Sequence, residues 1–191
     1  MQVKKKNTER CKNKLMEKMN YNIMLIGFMG VGKTTVSKIL SRELNMPEVD
    51  MDAYIVEHEH MAIPDIFEKY GEDYFRKVET ECLIEIQKKR GRIVSCGGGV
   101  VVKDENIGYM KDGGVILLLT ATPQTVYERV KDSTNRPILN GNMNVEYIEE
   151  LMNKRRNRYL EVADIIISTD GKGVREVVKE IQSKLSDFAK K

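Results

Sequence analysis

From Asn22 onward, short apolar runs alternate with longer stretches whose apolar residues recur every three or four positions. The runs lack polar alternation, as suits strands buried on both faces. They predict strands at about 22–27, Glu48–Met51, Arg92–Cys96, Val115–Thr120 and Asp164–Thr169. The periodic stretches predict helices from near Gly32 to Leu44, with Val36, Ile39 and Leu44 facing the core, and at 52–59, 64–70, 73–90, 104–111, 123–132, 145–162 and Val174–Leu185. Strand–helix alternation of this kind builds a parallel sheet covered by helices on both faces. The expectation is one α/β domain over residues 21–191, a three-layer αβα sandwich with five strands. Ligands in such sheets sit at the carboxyl ends of strands, where Gly27–Lys33, Asp50–Asp52 and Gly97–Gly99 all fall.

Charge separates one segment from this pattern. The net +3 conceals Lys4, Lys5, Lys6, Arg10, Lys12, Lys14 and Lys18 against Glu9 and Glu17, so residues 1–20 carry +5 and the remainder −2. Residues 1–20 read as a flexible basic extension. Cys11, Leu15 and Met19 share a helical face, so a short docked helix is the alternative. A domain without net positive charge argues against a nucleic-acid partner. The Lys4–Lys6 run lacks the apolar stretch of a secretory signal, and the longest apolar runs, such as Val115–Leu119, are too short for a bilayer. Cys11, Cys82 and Cys96 are odd in number with no metal spacing, which suits reduced thiols in the cytoplasm. Apolar residues at 41% and charged residues at 32% describe an ordinary globular chain.

The chemistry begins at Gly27-Phe28-Met29-Gly30-Val31-Gly32-Lys33-Thr34. A glycine, four variable residues and Gly-Lys-Thr between a strand and a helix make a phosphate-binding loop. The glycines let successive backbone N–H groups turn toward phosphate oxygens, and the helix dipole favours the same anion. Lys33 supplies a cation for the outer phosphates and Thr34 a hydroxyl for magnesium. A nucleoside triphosphate is therefore expected on Gly30, Val31, Gly32, Lys33, Thr34 and Thr35.

Further groups lie at the other strand ends. Asp50 and Asp52 can serve magnesium-bound water and a substrate hydroxyl, unless Asp52 simply caps the following helix. Arg76 and Glu79 share a helix face and form either a surface ion pair or a cleft arginine that binds a carboxylate with two prongs. Gly97-Gly98-Gly99 suits close approach of a ligand, or a tight turn. Arg136 lies in the polar stretch Ser133–Asn144, which suits a cover closing over the nucleotide at about 132–145. Of Arg155, Arg156 and Arg158, two belong to a solvated face, and spacing does not identify the third. His58 and His60 diverge on a helix and make no metal site. The eleven methionines read as packing.

These blocks, in this order, resemble the shikimate kinases. The resemblance runs from Asn22 to about Leu185 and covers Gly27–Thr35, Asp50–Asp52, Ile66-Phe67-Glu68, Gly71-Glu72, Phe75–Glu79, Gly97–Gly99, Arg136-Pro137-Ile138-Leu139, and Arg155 four before Tyr159. It implies P-loop kinase topology with strand order 2-3-1-4-5, a helical substrate-binding region at about 50–80 and a lid. It also implies transfer of the ATP γ-phosphoryl to the 3-hydroxyl of shikimate, in aromatic amino-acid biosynthesis; a monomer is the separate expectation for the chain. The catalytic groups it implies are Lys33, Asp52 and Arg136, with Arg136 also on ATP. Substrate would be held by Asp52, Arg76, Glu79, Gly97, Gly98, Gly99 and Arg155, and magnesium by Thr34 and, through water, Asp50. Arg129 or Lys131 would reach the adenine side. Two positions depart from the family: His60 where glycine is frequent after a helix, and Ala62 where serine is common. Both concern helix ends.

A related gluconate-type or nucleoside-monophosphate kinase is the nearest alternative, since gluconate is also a hydroxy acid. Gly97–Gly99 with Arg76 and Arg155 favours shikimate. A silent nucleotide-binding regulatory module is the alternative of another class, and Lys33, Asp52, Arg76, Arg136 and Arg155 together argue against it.

Overall fold

Asn22–Ile26 form β1, buried throughout and central in the sheet. The computed structural model describes residues 21–131 and 144–189. The basic extension, Arg136 and nearly all of the expected lid lie outside the described residues. Successive side chains of a strand point to opposite faces. Ile23 and Leu25 accordingly enter one core, while Met24 and Ile26 enter the other. β1 runs parallel to β3 (Ile93–Ser95), with Ile23 opposite Ile93, and to β4 (Gly114–Thr120), with Asn22 opposite Gly114. β2 (Glu48–Asp50) flanks β3, and β5 (Ile165–Ser168) flanks β4. The order is β2-β3-β1-β4-β5, all parallel, as expected.

Seven α-helices among the described residues complete the layers. α1 (Lys33–Leu44), α5 (Pro123–Val130) and α7 (Val174–Phe188) cover the Ile23 face through Val36, Leu40, Val126 and Ile181. α2 (Met51–Glu59), α3 (Ile63–Gln87) and α4 (Asp104–Gly113) cover the Met24 face through Met51, Ile55, Leu83 and Met110. α6 (Val145–Val162) serves both cores, with Ile148 in the first and Tyr159 and Val162 in the second. The helices expected at 64–70 and 73–90 are both present as the two limbs of α3, separated by non-helical backbone at Gly71, where φ is 82° and ψ 175°. Asp164 falls just outside β5, and its carboxylate accepts the Ile116 N–H at 2.8 Å. A short 3-10 turn, Val100–Val102, follows the glycine run and has no periodic signal in the sequence.

Both family departures mark real helix ends. His60 closes α2 in the left-handed region, at φ 52° and ψ 31°. Ala62 begins α3 with no side-chain cap. A left-handed L-residue costs about 1–2 kcal/mol, and glycine returns part of that gain as unfolded-state entropy. His60→Gly is therefore expected to stabilise the fold by up to about 1 kcal/mol, read as a raised thermal midpoint.

Candidate active site

The loop after β1 is shaped for an anion. Gly32 holds the N-cap position of α1 at φ 101°, where a Cβ is disfavoured. Among the described residues no side chain caps this helix, which leaves its N-terminus suited to an anionic ligand. Lys33 arches back over the loop, its Nζ donating to the carbonyls of Gly27 at 2.8 Å and Phe28 at 3.0 Å. Beside the loop opens a cavity of about 560 Å³ that Gly30–Thr35, Asp52, Arg76, Gly97–Gly99 and Arg155 all line.

One corner gathers hard oxygens. Thr34 Oγ1 donates to Asp50 Oδ2 at 2.9 Å and lies 3.4 Å from Ser95 Oγ. Asp50 Oδ1 accepts the Asp52 and Ala53 N–H groups, so Asp50 is the N-cap of α2. This corrects the alternative in which Asp52 caps: Asp52 sits in the first turn and its carboxylate lines the cavity. Ser95 was missed by sequence reasoning; its only signal is its place at the end of β3, before the glycine run.

Opposite the loop, Arg76 is a cleft arginine and not a surface one. It is buried, and donates from Nη1 to Glu79 Oε2 at 2.7 Å and from Nη2 to Glu72 Oε1 at 3.0 Å. Burial works against its cation, but Glu79 and Glu72 outweigh that and raise its pKa. Glu79 is 1% exposed and its Oε1 has no hydrogen-bond partner among the described residues. Burial pushes the Glu79 carboxyl above its usual range, with Asp52 adding to the shift while Arg76 and Arg155 oppose it. An added Cβ at Gly97 would lie 2.9 Å from Glu79 Oε1 and 3.0 Å from Asp52 Oδ1, so both carboxylates converge there.

The glycine run makes room for the protein's own arginine. A Cβ on Gly99 would stand 2.2 Å from Arg76 Nη1. Gly99→Ala is therefore expected to displace the guanidinium and raise KM for an acid substrate about tenfold or more, with KM for ATP little changed. Steady-state kinetics with each substrate varied in turn checks this.

The structure also resolves the basic cluster on α6. Arg155 enters the cavity and donates from Nη1 to the Gly98 carbonyl at 3.1 Å. Arg158 donates to the Val101 carbonyl and pairs with Asp104 and Glu161. Arg156 lines a separate cavity of about 410 Å³. On the other side, Arg129 lines the main cavity and donates to the carbonyls of Gly30 and Val31 and to Thr169. Lys131 instead pairs with Glu128. Thr169, Lys172 and Val174 line the same cavity, unmarked by any motif. Among the described residues no group of three or more His, Cys, Asp or Glu side chains forms a metal cluster. Cys82 and Cys96 are buried thiols; burial pushes Cys82 up to about 11 and Cys96 further.

A five-stranded parallel sheet with a phosphate loop after β1, facing two carboxylates and two arginines, defines a P-loop small-molecule kinase. Residues 29–186 match the family model for shikimate kinase. The chain belongs to the shikimate kinase family, ATP-dependent enzymes that phosphorylate a shikimate hydroxyl. The shikimate kinase of Thermodesulfovibrio yellowstonii is 43% identical over 160 residues, covering 84% of this chain and 92% of that one. The solved structure of Acinetobacter baumannii shikimate kinase in complex with shikimate superposes with a TM-score of 0.85 at 32% identity, over 91% of this chain and 97% of that chain. That of Aquifex aeolicus shikimate kinase gives 0.77 at 40% identity, over 88% and 98%. The gluconate-type and regulatory alternatives are not favoured by these similarities. No helix among the described residues is long and apolar enough to cross a membrane.

Proposed function

We propose that the cavity binds ATP on the Gly30–Thr35 side and shikimate on the Arg76–Arg155 side, and that its residues divide the reaction as follows. Arg76 and Arg155 clamp the shikimate carboxylate, with Glu79 fixing Arg76 and Gly97–Gly99 forming the pocket floor. Asp52 orients the 3-hydroxyl and accepts its proton as the hydroxyl oxygen attacks the γ-phosphorus. The bond from that phosphorus to the β,γ-bridging oxygen breaks, and ADP leaves. Lys33 exchanges its loop carbonyls for phosphate oxygens and follows the migrating charge. The oxygens of Thr34 and Asp50, the latter through water, fit magnesium, which supplies charge neutralisation on the phosphates when bound. Arg136 adds a cation from the lid, and Arg129 serves the adenine side in preference to Lys131. This reading takes the enzyme as a monomer, and the buried thiols suit the cytoplasm.

The observation that carries this reading is the convergence of Asp52, Arg76 and Arg155 on one cavity with the phosphate loop. A loose phosphoryl-transfer transition state needs such positioning and charge compensation more than a strong base. A coupled assay for ADP release with shikimate, gluconate, AMP and CMP tests it. Turnover is expected with shikimate alone, and absence of shikimate-dependent turnover would overturn the reading.

A further inference from the structure

A guanidinium has two edges on which one carboxylate can take two N–H groups: Nε with Nη2, and Nη1 with Nη2. In Arg76 the first edge is closed. Nε donates to Glu72 Oε1 at 3.2 Å, and Nη2 donates to the same oxygen at 3.0 Å. Glu79 Oε2 takes one of the two Nη1 hydrogens, at 2.7 Å. Nη1 and Nη2 are thus left a second hydrogen each. These two nitrogens are also the ones that stand against the glycine run. A Cβ on Gly99, which lines the main cavity, would lie 2.2 Å from Nη1 and 2.5 Å from Nη2.

The two glutamates do different work. Glu72 lies four residues before Arg76 and Glu79 three after, so both reach it from the same limb of α3. The Glu79 side chain is 1% exposed and supplies the buried counter-charge, whereas that of Glu72 is 62% exposed and adds little to charge compensation. What Glu72 adds is a second fixed point. A single bond through Nη1 would let the guanidinium turn about that contact, and the two further bonds to Glu72 set its plane and its direction. We infer that Glu72 is a positioning residue for acid capture: it closes the Nε/Nη2 edge of Arg76 and turns the Nη1/Nη2 edge toward the glycine run, where the substrate carboxylate binds. The inference rests on the assignment of Arg76 to the clamp and adds the edge on which the acid is held. The hydrogens it calls for are ones that neither glutamate uses, so no bond within the protein has to break.

Glu72→Ala lets the guanidinium turn, and KM for shikimate is expected to rise about fivefold, the cost of ordering one long side chain on binding, with KM for ATP within about twofold. The sign of the change carries the test. Glu72 is an anion beside an anion site, so a role through charge alone would make its removal lower that KM. Glu72→Gln separates the two effects. Its amide oxygen can still accept from Nε and Nη2 while the charge is gone, and KM for shikimate is expected to stay within about twofold of the parent's or to fall. In a background of Arg76→Ala with Glu79→Gln, which leaves no stranded buried charge, Glu72→Ala is expected to change KM for shikimate by less than about twofold, because nothing remains for it to position. An exposed pair one helical turn apart contributes little to stability, so each Glu72 variant is expected to fold, as a thermal melt will show. An unchanged or lowered KM in Glu72→Ala, an equal rise in Glu72→Gln, a parallel rise for ATP, or a further rise in the background without Arg76 would overturn the inference while leaving the clamp intact. If that background itself left KM for shikimate unchanged, the clamp would fall, and this inference with it.

Discussion

Asp52→Asn is expected to lower kcat by about 10²–10³-fold, with KM for ATP within about twofold, in steady-state assays at saturating shikimate. The amide keeps the shape of the carboxylate and can still accept a hydrogen bond from the attacking hydroxyl. It cannot take the proton. A general base contributes about 10²–10⁴-fold where proton transfer accompanies bond formation, and a loose transition state places this enzyme toward the lower end. Stability separates chemistry from folding damage. Asp52 and Glu79 converge on Gly97, and Asp52 is one cause of the raised Glu79 pKa. Neutralising position 52 removes that repulsion, so the thermal midpoint should hold or rise while turnover falls. A variant with kcat within about tenfold of the parent would reduce Asp52 to an orienting group.

The half of the site nearest in sequence was the half that could be read from it. Gly27–Thr34 is one continuous turn whose chemistry follows from local residue types, and the structure places it at the end of β1 as expected. The strands were legible because burial on both faces leaves apolar runs, and their ends moved by only a residue or two. Opposite the loop, each assignment depended on contacts between distant elements. Nothing local distinguishes Arg155 from Arg156 and Arg158; the way α6 lies against Gly98–Val101 does. Spacing likewise left Arg129 and Lys131 equivalent, until Thr169 of the β5–α7 connection took the first. The division between Asp50 and Asp52 turned on which of them precedes the first helical residue, and a shift of two positions exchanges a cap for a cavity group. Gly99 is an instructive case. The run of glycines signalled close approach, but the approaching group includes Arg76 of the same chain, 23 residues earlier.

Arg76→Ala is expected to weaken the fold and the acid site together, by separable amounts. The guanidinium compensates Glu79, which is 1% exposed, and removing one partner of a buried pair costs about 3–5 kcal/mol. The variant can escape part of that cost by keeping Glu79 protonated. The Glu79 pKa is already raised in the parent by burial, and loss of Arg76, which lowers it, raises it further. A carboxyl whose folded pKa exceeds its unfolded value contributes stability below the unfolded pKa and loses it as pH rises through the window up to the folded pKa. The deficit of Arg76→Ala relative to the parent should therefore be smaller near pH 5 than near pH 8 in denaturant unfolding. Arg76→Ala with Glu79→Gln removes the unpaired charge, and its stability should return most of the way to the parent's with no such pH dependence. Shikimate binding should not return with it: KM is expected to stay about 10²-fold raised in both variants, since the lost two-pronged contact to a carboxylate is a charge-assisted one. Recovery of stability and KM together would mean that Arg76 serves Glu79 alone and that the carboxylate is held elsewhere.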